Sequence, residues 1–113
     1  MVVANLYPFQ KVAAQAGVSP EQARTNIDIG GPCMIRASAK NYIRVASVTD
    51  AADYDDLVSE AGAHGGTLSF ATRFALMKKA FAHTAAYDAA IAAHFGPLDA
   101  AHAGAAYSLP GPA

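Results

Sequence analysis

Two stretches of this chain read as β-strands, and sequence that reads as helix follows each of them. The first is the apolar run from Met1 to Leu6, stopped at Tyr7-Pro8-Phe9 because proline cannot donate to a strand ladder. The second runs from Tyr42 to Val48, with apolar Ile43, Val45, Ala46 and Val48. Strand–helix–strand order is the mark of a parallel α/β sheet. Such a sheet is covered on both faces and needs several strands, so two alone do not make a stable one. Either other chains complete the sheet or sequence precedes Met1, and a start inside a strand favours the second expectation.

Helix signals fill the intervals. Lys11 to Ala16 is weakly helical and ends at Gly17. Ser19-Pro20-Glu21-Gln22 has Ser at the N-cap, Pro at the first helical position and Gln at the third, a capping-box pattern that opens a short helix ending near Asn26. Gly30-Gly31 reads as a close backbone approach, with Pro32 opening a helix to about Lys40 and Asn41 at its C-cap. Asp50 caps a further helix, with Tyr54, Leu57 and Val58 on one face and an end at Gly62; His64-Gly65-Gly66 is a loop. From Ser69 to about Phe95, residues Phe70, Phe74, Met77, Phe81, Thr84, Tyr87 or Asp88, and Ile91 keep near-helical spacing, which predicts one long amphipathic helix. Gly96-Pro97 ends it. Residues 97–113 are rich in Ala, Gly and Pro and read as a disordered tail.

Composition narrows the class. Of the 113 residues 53% are apolar, but alanine supplies much of that and there is no Trp, so the core is expected to be thin and helix-rich. A net charge of −1 argues against nucleic acid or a polybasic membrane surface as partner. No apolar run nears the ~20 residues of a membrane span, and Met1-Val2-Val3-Ala4 does not read as a signal peptide. Cys33, the one cysteine, cannot form an internal disulfide and fits a reducing, cytoplasmic setting.

Three segments could carry chemistry, and each also has a plain structural reading. Tyr7 follows a strand, where ligands gather in open parallel sheets; it could equally be a core tyrosine with a solvated hydroxyl. Asp28 lies between Ile27 and Ile29, so its carboxylate must find partners or titrate abnormally; it could simply tie down a turn. The amides of Gly30 and Gly31 beside a helix N-terminus suit a phosphate or a developing oxyanion, although a lone Gly-Gly is a weak signal. Arg36 and Lys40 are four apart on one helix face, which calls for an anion nearby or merely places cations near the helix C-terminus. The helix rise between Pro32 and Lys40 is roughly 12 Å, so spacing does not bring Asp28 and Lys40 together. The four histidines lack metal-ligand spacing and read as structural or surface groups.

Taken together, Asn5-Leu6-Tyr7-Pro8-Phe9, Asn26-Ile27-Asp28-Ile29-Gly30-Gly31-Pro32, Met34-Ile35-Arg36-Ala37-Ser38-Ala39-Lys40-Asn41 and Ala80-Phe81-Ala82-His83-Thr84-Ala85-Ala86-Tyr87-Asp88-Ala89-Ala90-Ile91 resemble one family, in order and at spacing, over about Val2 to Phe95. The chain is similar to the C-terminal part of the inosine monophosphate (IMP) cyclohydrolase domain. That domain belongs to the bifunctional purine-synthesis protein that also carries an aminoimidazole carboxamide ribotide (AICAR) formyltransferase. The resemblance implies an α/β fold for residues 1–96: the C-terminal part of a Rossmann-like, methylglyoxal synthase-like parallel sheet domain with a long C-terminal helix.

The resemblance also implies a reaction. The carboxamide nitrogen of the formylated ribotide (FAICAR) closes on its formyl carbon and water leaves, giving IMP, with no cofactor and no metal. Lys40 would polarise the formyl oxygen or protonate the leaving hydroxyl. Asp28 would take a proton from the carboxamide nitrogen or orient it, and Tyr7 would hydrogen-bond the reacting end. The amides of Ile29, Gly30 and Gly31 would cradle the base or the oxyanion, Asn41 would fix Lys40, and Arg36 would help bind the ribotide. A homodimer and a formyltransferase partner are the expected associations. The family's Ser-Thr-Gly-Gly-Thr phosphate loop and Lys-Thr-Leu-His-Pro motif do not occur in this sequence. Ser38 stands where Ala is usual and Tyr42 where His is common. The expectation is therefore no measurable cyclisation by this chain alone. Two other readings stand beside it: a non-catalytic nucleotide-binding regulatory module of the same fold, and an inactive, association-prone fragment.

Overall fold

β1 (Val2–Val3) and β2 (Ser47–Val48) pair in parallel, with Val2 opposite Ser47 and Val3 opposite Val48. The ladder is fixed by Val2 N–H to Ala46 C=O at 2.8 Å and Ala4 N–H to Val48 C=O at 3.0 Å. The computed structural model describes residues 1–108, 110 and 111. The chain divides into two compact units, Met1–Leu6 with Ile29–Ala86, and Tyr7–Asp28 with Tyr87–Ala113. A mixed α/β fold with a small parallel sheet and a long helix near the C-terminus is what the sequence implied.

In the first unit, α3 (Gly30–Lys40) leads to β2, followed by a 3-10 turn (Ala51–Asp53), α4 (Tyr54–Ala63) and the first part of α5 (Phe70–Phe95). Ile35 and Ala39 of α3 pack on Ala80 of α5, with Ala4, Leu6, Met77 and Phe81 around them. A second cluster joins Ala46 and Val48 to Leu57 and Leu76. Ser38 is buried in this apolar setting because its Oγ lies 3.0 Å from Ile35 C=O and 2.8 Å from Ser47 Oγ. That exchange satisfies both hydroxyls and ties α3 to β2. An apolar groove of about 340 Å³ runs beside β1, lined by Met1, Val3, Val48, Tyr54, Leu57, Val58 and Ala61.

Three expectations are corrected here. The second strand does not begin at Tyr42. Tyr42 N–H bonds Ala39 C=O and Arg44 and Val45 N–H both bond Asn41 C=O, so residues 41–44 continue as turns and only Ser47–Val48 pairs. Arg73 of α5 stabilises those turns, its guanidinium donating to the carbonyls of Tyr42, Ile43 and Leu68. Pro32 is not the first residue of α3: the helix starts at Gly30 after N-cap Ile29, and Pro32 sits third, where a missing N–H still costs nothing. The buried stripe of α5 is Leu76, Ala80, Thr84 and Tyr87. Phe70 and Phe74, expected on that stripe, stay substantially exposed and stack on each other beside Tyr42.

The second unit holds α1 (Phe9–Ala13), α2 (Pro20–Thr25), the last turns of α5 and α6 (Ala100–Gly104). The Ser19–Gln22 capping box forms as expected, with bonds of 3.1 and 2.9 Å, and Gly17 takes φ +75° in the turn before it. Phe9 is 1% exposed, with ring contacts to Tyr87, His94 and Phe95. Where a structureless tail was expected, Asp99 caps α6 through His102 N–H, and Tyr107 contacts the Arg24–Glu21 pair of α2. The expectation of disorder for residues 109, 112 and 113 falls outside the described residues.

Two carboxylate ties in the first unit depend on ionisation. Glu60 of α4 accepts from Thr72 Oγ1 (2.6 Å) and Ser69 N–H (2.7 Å) at the start of α5, and these bonds hold its carboxyl below its ordinary value, the Thr72 bond most. Asp50 is likewise held low, by Ala52 N–H first and Lys79 second. A carboxyl lowered in the folded state contributes stability above its ordinary range and loses it as pH falls through the folded value. The urea midpoint should therefore decline as pH drops below the usual carboxylate range. Glu60→Gln should flatten that decline; a variant with an undiminished acid slope would exclude Glu60 as a source.

Candidate active site

The segment between β1 and α1 carries Tyr7, and the segment between α2 and α3 carries Asp28. The structure brings them together: Tyr7 N–H donates to Asp28 Oδ2 at 3.1 Å across 21 residues of sequence. Tyr7 is more than half exposed. Asp28 is fixed from a second direction. The Tyr87 hydroxyl accepts Asp28 N–H at 2.9 Å and donates to Asn26 C=O at 3.2 Å. Tyr87 was legible in the sequence only as a residue on the core stripe of α5. The signal that could have marked it is the rule that a buried phenol must find partners for its hydroxyl.

The other candidate residues lie on α3. Ile29 is its N-cap and is largely exposed, so the apolar burial expected on that side of Asp28 is not found. A Cβ at Gly30 would meet nothing within 4 Å, so no close backbone approach occurs there and the space over the helix start is open. Gly31 is buried. At the far end, Lys40 is exposed and Asn41 is the C-cap, its N–H bonding Ser38 C=O at 3.0 Å. Among the described residues no ion pair involves Lys40 or Arg36, and no hydrogen bond joins Asn41 to Lys40. The Arg36 guanidinium lies 5.4 Å above the Phe81 ring, a cation–π contact that answers for its place without an anion. The helix rise from Gly31 to Lys40 is roughly 13 Å, so the Gly-Gly amides and the Lys40 backbone stand at opposite ends of α3.

No group of three potential metal ligands occurs among the described residues. No helix among them is long and apolar enough to cross a membrane. His94 packs on Phe9 and Phe95, and His64 Nδ1 lies 2.8 Å from Glu60 C=O, structural roles of the kind expected for these histidines.

The mixed α/β structure, with its small parallel sheet and long helix near the C-terminus, is consistent with part of a methylglyoxal synthase-like domain. The family model described as AICARFT/IMPCHase bienzyme matches residues 38–109, and the chain belongs to that family, as part of its IMP cyclohydrolase domain. The matched span includes Lys40 and Asn41. Among solved structures the chain is similar to ForH, at 38% identity and a TM-score of 0.72, with 84% of this chain and 49% of that one covered. The chain thus spans about half the length of that relative.

Proposed function

We propose that this chain carries the ring-closing part of an IMP cyclohydrolase site. The observation that supports it most is the Asp28 carboxylate held on the Tyr7 amide, in a family member whose matched span includes an exposed Lys40 that makes no ion pair among the described residues. In this reading the FAICAR carboxamide nitrogen attacks the formyl carbon and a carbinolamine forms. Asp28 accepts the proton that nitrogen sheds. The Lys40 ammonium stabilises the oxygen as negative charge develops on it, the largest contribution expected from a preorganised donor. The C–O bond then breaks. The oxygen departs as water with one hydrogen from the carboxamide and one from the formamide nitrogen, leaving the ring C=N of IMP. Tyr7 orients the reacting end, and the amides of Ile29, Gly30 and Gly31 hold the base or oxyanion. Arg36 and Asn41 complete the binding surface, and neither cofactor nor metal takes part.

The reading includes a homodimer and a formyltransferase partner. The apolar groove beside β1, lined by the exposed Val3 and Val58, supports association. It also holds that the chain alone does not turn over. The phosphate-loop and second-lysine motifs are absent from its sequence, and in this reading family sequence outside these 113 residues supplies them. Binding is testable without turnover. Titrating the ¹⁵N-labelled chain with IMP to millimolar levels, about 4 kcal/mol of binding free energy, should move the amide signals of Tyr7, Asp28, Ile29, Gly30, Gly31, Lys40 and Asn41. Saturable shifts confined to α6, or none at all, would sink the proposal.

A further inference from the structure

We infer that Tyr87 is a positioning residue for Asp28, a role that rests on the cyclohydrolase reading. Its phenol is 6% exposed and its ring meets Phe9 edge-on at 6.2 Å, so the hydroxyl is delivered by a packed side chain with little freedom. That hydroxyl accepts Asp28 N–H at 2.9 Å and donates to Asn26 C=O at 3.2 Å. One buried group therefore fixes the backbone on both sides of Ile27, 59 and 61 residues away in sequence. The C-cap of α2 already ties Asn26 and Ile27 to its last turn, through Asn26 N–H to Ala23 C=O and Ile27 N–H to Arg24 C=O, and the Tyr87 hydroxyl extends that hold to the Asp28 amide beyond the helix. Asp28 in turn holds Tyr7 through Oδ2. The order of support runs from the α5 core to Tyr87, to the Asp28 backbone, to the Asp28 carboxylate and to Tyr7. A carboxylate that must meet a nitrogen proton at hydrogen-bond distance gains from such support, because small misplacements cost large factors in rate.

Tyr87→Phe keeps the ring and removes the hydroxyl. Native-state hydrogen exchange should show the Asp28 and Tyr7 amides exchanging roughly fivefold faster or more, the effect of losing one neutral hydrogen bond. The amides of Ile35 and Ala39 should keep their rates. IMP titration then reads the coupling. Tyr87→Phe and Asp28→Ala should each weaken binding several-fold, and the double variant should bind no more weakly than Asp28→Ala, because residues acting through one another are not additive. Unchanged exchange at Asp28 and Tyr7 would overturn the bridge. A double variant weaker by the product of both factors would overturn action through Asp28. A wild-type chain that fails to bind IMP, with exchange at Asp28 still accelerated in the variant, would instead refute the cyclohydrolase reading and reduce Tyr87 to a structural tie.

Discussion

Lys40→Ala should lower the rate of FAICAR cyclisation by roughly 10²–10³-fold, the loss typical of removing one oxyanion donor, when the chain is assayed with a family polypeptide that carries the phosphate-loop and second-lysine motifs. Lys40 is exposed at the end of α3 and makes no ion pair among the described residues, so its removal leaves no buried partner unsatisfied. The urea midpoint should stay within that of the parent chain, because surface substitutions of this kind fall within about 0.5 kcal/mol. The loss should appear in kcat rather than KM, since the charge it stabilises develops only after the carboxamide nitrogen attacks. Lys40→Arg should recover little, because a planar guanidinium does not present a point charge at the same place. Equal turnover by parent and Lys40→Ala would remove Lys40 from the chemistry.

Phe9→Ala should cost about 3–5 kcal/mol, the range for emptying a buried phenylalanine site. Phe9 is almost fully buried and touches three rings, those of Tyr87, His94 and Phe95. Among the described residues of the second unit, Ala23 and Tyr87 are the other buried apolar residues. With a total folding stability of about 5–15 kcal/mol typical of such chains, the change is a large fraction of the whole. Urea unfolding followed by circular dichroism should show the midpoint falling by more than about 1 M, given slopes of about 1–3 kcal/mol per molar. Val58→Ala, at a residue 72% exposed, is the control and should barely move it. A Phe9→Ala midpoint equal to that of the control would show that the aromatic cluster does not hold the unit together.

The parts of the fold that local chemistry decides were legible in the sequence. The Ser19–Gln22 capping box and the Asp50 cap, on the 3-10 turn before α4, use side chains within a few residues and form as expected, and α5 stops before Gly96, whereas α4 runs through Gly62 to Ala63 and α1 stops at Ala13, short of Gly17. What failed depended on partners distant in sequence. The apolar run after Tyr42 has strand composition, but Arg73 satisfies its carbonyls with a guanidinium 31 residues away, so turns replace the strand. Phe70 and Phe74 keep helical spacing, yet the stripe of α5 that the core covers is turned toward Leu76, Ala80, Thr84 and Tyr87. Periodicity shows that a face exists and does not show which face another element covers.

The candidate residues divide the same way. Tyr7 and Asp28 were singled out separately, and their hydrogen bond could not be read from spacing. The roles of both came from family resemblance, since each residue also fitted a structural reading. Tyr87 carried no mark beyond its helical phase. Its hydroxyl matters because the segment after α2 returns to it, a fact of tertiary structure.

The most direct test of the central claim is conversion of FAICAR to IMP, followed by absorbance and confirmed by chromatography. The purified chain would be assayed alone and together with a family polypeptide that carries the phosphate-loop and second-lysine motifs. The account predicts no conversion by either polypeptide alone, and conversion by the mixture that Asp28→Ala and Lys40→Ala each suppress. A mixture that binds IMP but never forms it would contradict the account and leave a nucleotide-binding module of the same fold.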